Sequence, residues 1–310
     1  MSDIESTLRR LKFSDLRLLQ AVVEWGGMAK AARHLNISQP AVSKAIATLE
    51  HALGVRLLDR TTKGVEPTIF GDALLSGGIA VFDELKQSLK RIKFLSDPDG
   101  GFLRIGCSEA GAAGFVPTVI ERFSRGRPRV AFEIVTGDPV TLVGRELPQR
   151  TVDLVICAVP RAKSDTEVEI TPLFQDRHVV MASKKSRWAR LRKITLADLA
   201  KDAWVMPPAS SEPGRLIVDA FRRAHVEPPQ QSVAAFSVPL CLHLLASGRY
   251  VAMLPEVMAQ LSSHLSLKVL PVTLPAVARP VGIVTLKGRS IGPLTKRFID
   301  CARETAAELT

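Results

Sequence analysis

The chain has 310 residues, too many for one compact core, so two or three domains are expected. An apolar fraction of 46% beside 24% charged residues excludes a disordered chain, and no run approaches the ~18 uncharged apolar residues of a membrane span. The net charge of +11 suits a polyanionic partner, yet it is spread out, +4 over residues 1–93 and +7 over the remainder, so charge alone locates no site.

Cys107, Cys157, Cys241 and Cys301 lie far apart, with no CxxC and no neighbouring histidine. They read as reduced, buried thiols of a cytoplasmic protein, and neither a metal nor a cofactor is expected. The N-terminus lacks the apolar core of a signal peptide.

Three helical patterns follow one another over residues 12–65. The first starts at Ser14 as N-cap, carries Leu16, Leu18, Leu19, Ala21, Val22 and Val23, and stops at Gly26-Gly27. The second covers 28–35, with Ala31-Ala32 small enough for close helix contact, and Asn36 suits a tight turn with positive φ. The third opens at Ser38 as N-cap, holds Pro40 in its first turn and runs to Leu53 before Gly54. Ala41, Val42, Ile46 and Leu49 form its apolar stripe.

Two helices joined by a short turn describe a helix-turn-helix. Gln39, Ser43 and Lys44 point away from the stripe: Gln can pair with adenine, Ser allows close approach, and Lys reaches guanine or phosphate. The Ser38 end offers free N–H groups to a backbone phosphate. Spacing and caps by themselves fit a plain three-helix core equally well.

The run AARHLNISQPAVSKAIATLEHALGVRLLDRTTKGVEPTIFG, residues 31–71, resembles the DNA-binding signature of the LysR-type transcription regulators. The shared features are paired alanines, SQPAVS, an apolar-LE-LG stretch, an R-x-x-x-G wing and a threonine before glycine. Leu58 stands where the family has Phe, and Glu66-Pro67 replaces a common apolar residue before Thr68. The resemblance implies an N-terminal winged helix-turn-helix, a long linker helix and a C-terminal two-lobed α/β domain of periplasmic-binding-protein type. It places Arg60 and Lys63 beside a β-wing and Arg33 near phosphate, although a solvated helix face also accounts for Arg33. The expected DNA-binding set is thus Arg33, Ser38, Gln39, Pro40, Ser43, Lys44, Arg60 and Lys63. Partners implied are double-stranded DNA with a dyad-symmetric operator, a small-molecule effector, and a second copy in a homodimer or homotetramer. RNA polymerase is a further candidate partner, and no membrane is implied. The expected domains are 1–67, a linker and hinge at 68–101, and a sensor at 102–310.

From 68 to 93 the chain reads as one helix, with Gly71, Leu75, Gly78, Phe82, Leu85, Leu89 and Ile92 in a heptad seam. The seam fits a helix paired with its copy or a buried amphipathic helix, and the resemblance favours the pair. Residues 96–101, SDPDGG, read as a hinge by composition.

Beyond it, strands are predicted at 102–107, 130–135 and 152–158, with helices at 116–123 and 139–146 between them, a βαβαβ run of a parallel sheet. A second run has strands at 178–182, 203–206, 232–236 and 251–254, with helices at 196–200, 214–224 and 238–246. A strand at 280–286 and a helix at 293–309 are expected to return to the first lobe.

Ligands of such sheets sit outside the carboxyl ends of strands. The exits here are SEAGAAG, TGDP, PPASSEPG and SVP, whose Ser108, Thr136, Ser210, Ser211 and Ser237 offer hydroxyls near helix N–H groups, chemistry that suits a small anionic or polar effector. Taken singly, each is better explained by helix capping, and it is the convergence of four such exits on one cleft, which the family resemblance implies, that favours an effector site. Glu109 either accepts a hydrogen bond from an effector hydroxyl or amine, or faces solvent. Arg249 pairs with a carboxylate or occupies an outward turn.

No GxGxxG, P-loop, GxSxG or HExxH is present, and the six histidines are isolated, so no enzyme is expected. A periplasmic binding protein would lack the helix-turn-helix. Redox sensing has one candidate, Cys107, at the end of a predicted strand.

Overall fold

The computed structural model describes residues 7–8, 10–61, 64–159, 167–261, 266–275 and 278–309. The chain divides into two compact units between Ser88 and Leu89, inside one long helix.

The first unit holds α1 (Phe13–Glu24), α2 (Met28–His34), α3 (Gln39–Leu53), the hairpin β1 (Leu58–Thr61) and β2 (Gly64–Pro67), and most of α4 (Ile69–Ser96). Its core gathers Leu19, Val22, Ala31, Ala32, Val42, Ile46, Leu49, Leu57 and Leu58. Leu58 is therefore a core residue despite its departure from the family pattern. Asn36 has φ 54° and Gly54 φ 70°, as the turn and the helix end require. Two details differ from expectation. α1 starts at Phe13 behind Lys12, because the Ser14 hydroxyl bonds to Asp15 instead of capping the helix. Ala41 is exposed, which narrows the buried stripe of α3 to Val42, Ile46 and Leu49.

The LysR-like signature residues after α3 have visible jobs. Glu50 Oε1 accepts from the N–H groups of Leu57 (2.8 Å) and Leu58 (3.3 Å), fixing the entry to the hairpin. Thr68 Oγ1 donates to the Arg56 carbonyl (2.8 Å) and accepts from Gly71 N–H (3.1 Å), which caps α4 against the hairpin base. Gly71 must be glycine, since a Cβ there would overlap the Leu57 carbonyl oxygen.

The predicted seam of α4 splits into two halves. Gly71 and Gly78 are buried, Leu75 joins the core of the first unit, and Phe82 lies 5.9 Å from the Phe13 ring. Leu85, Leu89, Ile92 and Leu95 are exposed, at 52, 58, 61 and 76%.

In the second unit, β3 (Gly100–Cys107), α5 (Glu109–Ala113), α6 (Phe115–Arg125), β4 (Arg129–Thr136), α7 (Pro139–Thr141, widening to a π-turn at Leu142–Glu146) and β5 (Leu154–Ala158) open the first lobe. The long strand β6 (Val168–Ser183) leads on to α8 (Leu196–Leu199), β7 (Ala203–Met206), α9 (Glu212–Arg223), β8 (Gln231–Ala234), α10 (Val238–Ala246), β9 (Tyr250–Pro255), α11 (Glu256–Leu261) and β10 (Leu267–Val269). Finally β11 (Ala278–Leu286) and α12 (Pro293–Ala307) return to the first lobe, with Phe298 packed 5.4 Å from Phe123.

The sheet order is β4-β3-β5-β11-β6-β9-β7-β8, with β10 beside β6. β3 pairs in parallel with β4 and β5, and β7 in parallel with β8 and β9, as the two βαβ runs predict. β6 makes two lobes from one sheet: its residues from Val168 to Arg177 pair antiparallel with β11, and those from His178 to Ala182 pair antiparallel with β9. Separate cores follow, around Ile105, Phe115, Phe123 and Phe298 in the first lobe and around Trp204, Met206, Ile217 and Phe221 in the second.

Residues 96–101, read as a hinge, are held on both sides. Asp97 accepts from Arg129 at 2.6 Å, and Gly100 and Gly101 already pair with Arg129 and Val130 in the sheet. No helix among the described residues is long and apolar enough to cross a membrane.

Candidate DNA interface and effector cleft

On α3 the predicted reading residues lie outside the buried stripe of Val42, Ile46 and Leu49. Ser38, Gln39, Pro40 and Lys44 are exposed and Ser43 is half-buried. Ala41 N–H donates to Ser38 Oγ (3.4 Å), and Pro40 occupies the first turn, where its missing N–H leaves no bond unmade. Gln39 and Ser43 are four residues apart and share a face, as do Pro40 and Lys44. Arg33 is exposed in the last turn of α2. Arg60 lies on β1, opposite Val65, and Lys63 falls outside the described residues. The unusual Glu66 stands across the hairpin from Asp59, so two carboxylates face each other near the hairpin base.

The predicted effector residues lie at strand exits. Cys107 and Thr136 are register partners at the ends of β3 and β4, and Gly137 N–H donates to the Cys107 carbonyl (3.1 Å), so Ser108 and Thr136 leave the sheet side by side. Ser108 Oγ accepts from Gly111 N–H (3.2 Å), and its hydroxyl proton has no acceptor among the described residues. Thr136 is exposed and caps nothing; the helix after it is capped by Asp138, which accepts from Thr141 N–H (2.9 Å). Glu109 is exposed in the first turn of α5.

In the second lobe Met206 and Ala234 are partners at the ends of β7 and β8. Ser237 Oγ caps α10, accepting from Leu240 N–H (3.3 Å). Its helix packs against α5 of the first lobe, which brings the Ser108 and Ser237 segments together. Ser211 Oγ accepts from Gly214 N–H (3.1 Å) and donates to the Pro208 carbonyl (2.6 Å), so its proton is spent inside the loop and cannot serve an anion. Ser210 is exposed, and its carbonyl is bonded by Arg215. Arg249 is exposed beside the Tyr250 ring, in an outward turn.

Three residues that sequence reasoning missed line the crossing between the lobes. Arg279 on β11 is 8% exposed; its Nη1 lies 2.7 Å from Glu212 Oε1, and its Nη2 donates to the Val159 carbonyl (3.2 Å). Asp176, its partner across the β6–β11 pair, accepts from Val257 N–H (3.3 Å). Burial pushes the Asp176 carboxyl up to about 6. Two signals were available: an arginine near the start of a mostly apolar strand, and a glutamate directly after the Ser211 cap.

Cys107 is fully buried, and burial, with a smaller push from Glu109, raises its thiol to about 11. Burial raises Cys157 to about 12. Burial favours the thiol form of both, which counts against a redox role for Cys107.

Two family models match the chain. One described as the LysR substrate binding domain covers residues 96–307, and one described as the bacterial regulatory helix-turn-helix protein, lysR family, covers residues 13–72. The chain is 27% identical over 288 residues to the HTH-type transcriptional regulator GbpR of Azospirillum brasilense, covering 92% of this chain and 83% of that one. The crystal structure of CbnR, a LysR family transcriptional regulator, superimposes with a TM-score of 0.64 at 22% identity, over 96% of this chain and 99% of CbnR. Full-length CbnR complexed with its target DNA gives the same TM-score and identity over 95% of this chain and 100% of CbnR. The chain belongs to the LysR family, as a DNA-binding transcription regulator with a C-terminal effector-binding domain.

Proposed function

We propose that the chain is a cytoplasmic regulator that reads a dyad-symmetric operator as a homodimer or homotetramer and responds to a small anionic or polar effector. Residues 1–67 form the reading head, 68–101 the linker, and 102–310 the sensor. The observation that carries this reading is α3: a capped helix whose buried stripe leaves Gln39 and Lys44 exposed and Ser43 half-buried. Gln39 and Ser43 face base edges in the major groove, Lys44 reaches guanine or phosphate, and Ser38 with Pro40 sets the helix end against the backbone. Arg60 and Lys63 hold the wing to the backbone or minor groove, and Arg33 contacts phosphate. CbnR, solved with its target DNA, supports this mode of use.

Self-association follows from the exposed half of the α4 seam, since Leu85, Leu89, Ile92 and Leu95 recur at helical spacing with no cover. In the sensor, Ser108, Thr136 and Ser237 contribute hydroxyls, Glu109 an acceptor, and the Ser210–Ser211 loop shape. Binding there changes lobe geometry, and the change reaches the DNA heads through α4, altering operator affinity or bend.

The test is a titration of wild type, Gln39→Ala and Lys44→Ala against a selected site and scrambled DNA across salt. Gln39→Ala should lose roughly 1–3 kcal/mol on the selected site only, and Lys44→Ala should lower the salt slope by about one if it meets phosphate. Equal losses of Gln39→Ala on both DNAs would remove base reading from Gln39.

A further inference from the structure

We propose that Arg279 is the carboxylate receptor of the sensor cleft and that Glu212 is its resident stand-in, displaced when an acidic effector docks. The inference rests on the effector-sensing reading above and adds to it the receptor residue, the effector's chemical class and the event that binding must trigger.

The ion pair is unequal. Arg279 is nine-tenths buried at the start of β11, where the chain returns to the first lobe, and Glu212 is a third exposed at the first residue of α9 in the second lobe. The cation is thus part of the wall, and the carboxylate is the partner that can leave for water at low cost.

The pairing is also incomplete. A guanidinium offers five N–H donors in a fork built for two carboxylate oxygens. Here Nη1 meets one oxygen of Glu212, Nη2 meets the Val159 carbonyl, and the buried Nε has no acceptor among the described residues. A buried donor left unmade is costly, so the site is set for a further acceptor oxygen. Asp176 does not supply it, since its carboxylate is bonded to the start of α11.

A repeat within the chain isolates the role of Arg279. Ser108-Glu109-Ala110-Gly111 and Ser211-Glu212-Pro213-Gly214 cap helices in the two lobes in the same way, each serine accepting from the glycine N–H three residues on. Glu109 faces solvent with no ion pair among the described residues, and Glu212 is drawn inward to Arg279. Capping does not need the glutamate in either place. The α9 loop is stiff: Gly214 sits so close to the Pro208 carbonyl that a Cβ would overlap it. Releasing Glu212 therefore moves a side chain, or moves α9 with its lobe, and leaves the loop intact.

The test is anion rescue in the full chain. Glu212→Ala removes the stand-in and leaves room for a short carboxylate. Its thermal midpoint is compared in sodium acetate or propionate and in sodium chloride of equal ionic strength. Acetate or propionate should restore the midpoint at a concentration about tenfold below that giving any shift in wild type. The double variant Glu212→Ala/Arg279→Gln should gain nothing beyond chloride. If Glu212→Ala does not fold in either salt, Glu212→Gln is measured in the same way. The proposal falls if acetate acts no better than chloride on the folded variant, or if the double variant is rescued equally. Wild-type binding to its selected DNA site, assayed on the same preparation, reports separately on the regulator reading.

Discussion

Lys90 Nζ lies 3.0 and 3.1 Å from the two carboxylate oxygens of Asp153, so the end of the long α4 helix is anchored to the first lobe of the sensor. Asp153 also accepts from Arg104 N–H (3.0 Å) and from Arg289 Nη2 (3.2 Å), and Arg289 Nη1 donates to the Val152 carbonyl (2.9 Å). Phe94 packs against the core of the same lobe, with Arg297 over its ring at 4.8 Å. The final turns of α4 thus move with the lobe. Asp153→Ala takes a carboxylate from the buried Arg289 and the acceptor from Arg104 N–H, and should cost about 3–5 kcal/mol in the sensor transition on urea unfolding. Lys90→Met, which leaves Arg289 paired, should cost about 1 kcal/mol or less. Equal effects would show that the cluster is not organised around Arg289.

Gly71 and Gly77 lie in the same helix and should respond in opposite directions. A Cβ at Gly71 overlaps the Leu57 carbonyl, which already accepts from Thr68 N–H (2.9 Å), whereas a Cβ at Gly77 meets nothing within 4 Å. Gly71→Ala should destabilise the first unit by about 3 kcal/mol or more. Gly77→Ala should stabilise it by roughly 0.5–1 kcal/mol. Circular-dichroism melts of the two variants decide the point, and a neutral Gly71→Ala would contradict the packing at the hairpin base.

The order of the two halves was legible because period-2 and period-3.6 patterns alternate cleanly after residue 102, and because caps such as Ser38 and Ser237 sit where helices begin. Three things were hidden. Whether the α4 seam packs on its own unit or faces outward depends on Phe13, 69 residues upstream of Phe82, and no local pattern carries that. The SDPDGG segment has turn composition, yet Arg129 and strand pairing hold it, because sheet formation overrides local propensity. Arg279 and Glu212 are 67 positions apart and meet only in the folded chain, so this buried ion pair was invisible while the capping serines stood out.

Leu89 should be a hinge point for assembly. It is 58% exposed between Leu85 and Ile92 on the uncovered half of the seam. Leu89→Glu should shift sedimentation toward monomer at micromolar concentration without lowering the thermal midpoint of the sensor, because the new charge enters water in the free chain and apolar surface in the pair. Unchanged sedimentation would place self-association on another surface.

Asp176 gives the sensor a pH dependence of predictable sign. Burial raises its carboxyl from 3.8 to about 6, partly opposed by the backbone N–H groups of Val257 and Glu256. The folded state then holds the proton more tightly than the unfolded one. Its contribution is fully present below pH 3.8 and is lost as pH rises through about 6, a difference of ~3 kcal/mol. Asp176→Asn keeps an oxygen for Val257 N–H and removes the ionisation. The variant should be the more stable protein at pH 7.5, by up to ~3 kcal/mol, with the gap closing toward pH 4. A gap that does not change with pH would show that the carboxylate is solvated in the folded state.

The central claim, that α3 and the wing give this chain sequence-specific recognition of DNA, is tested most directly by pulling genomic fragments down with the purified full-length protein at near-physiological salt. Recovery of a short site with dyad symmetry, lost with Gln39→Ala, is the predicted result. Recovery of sequence-blind fragments that vanish as salt rises would contradict it.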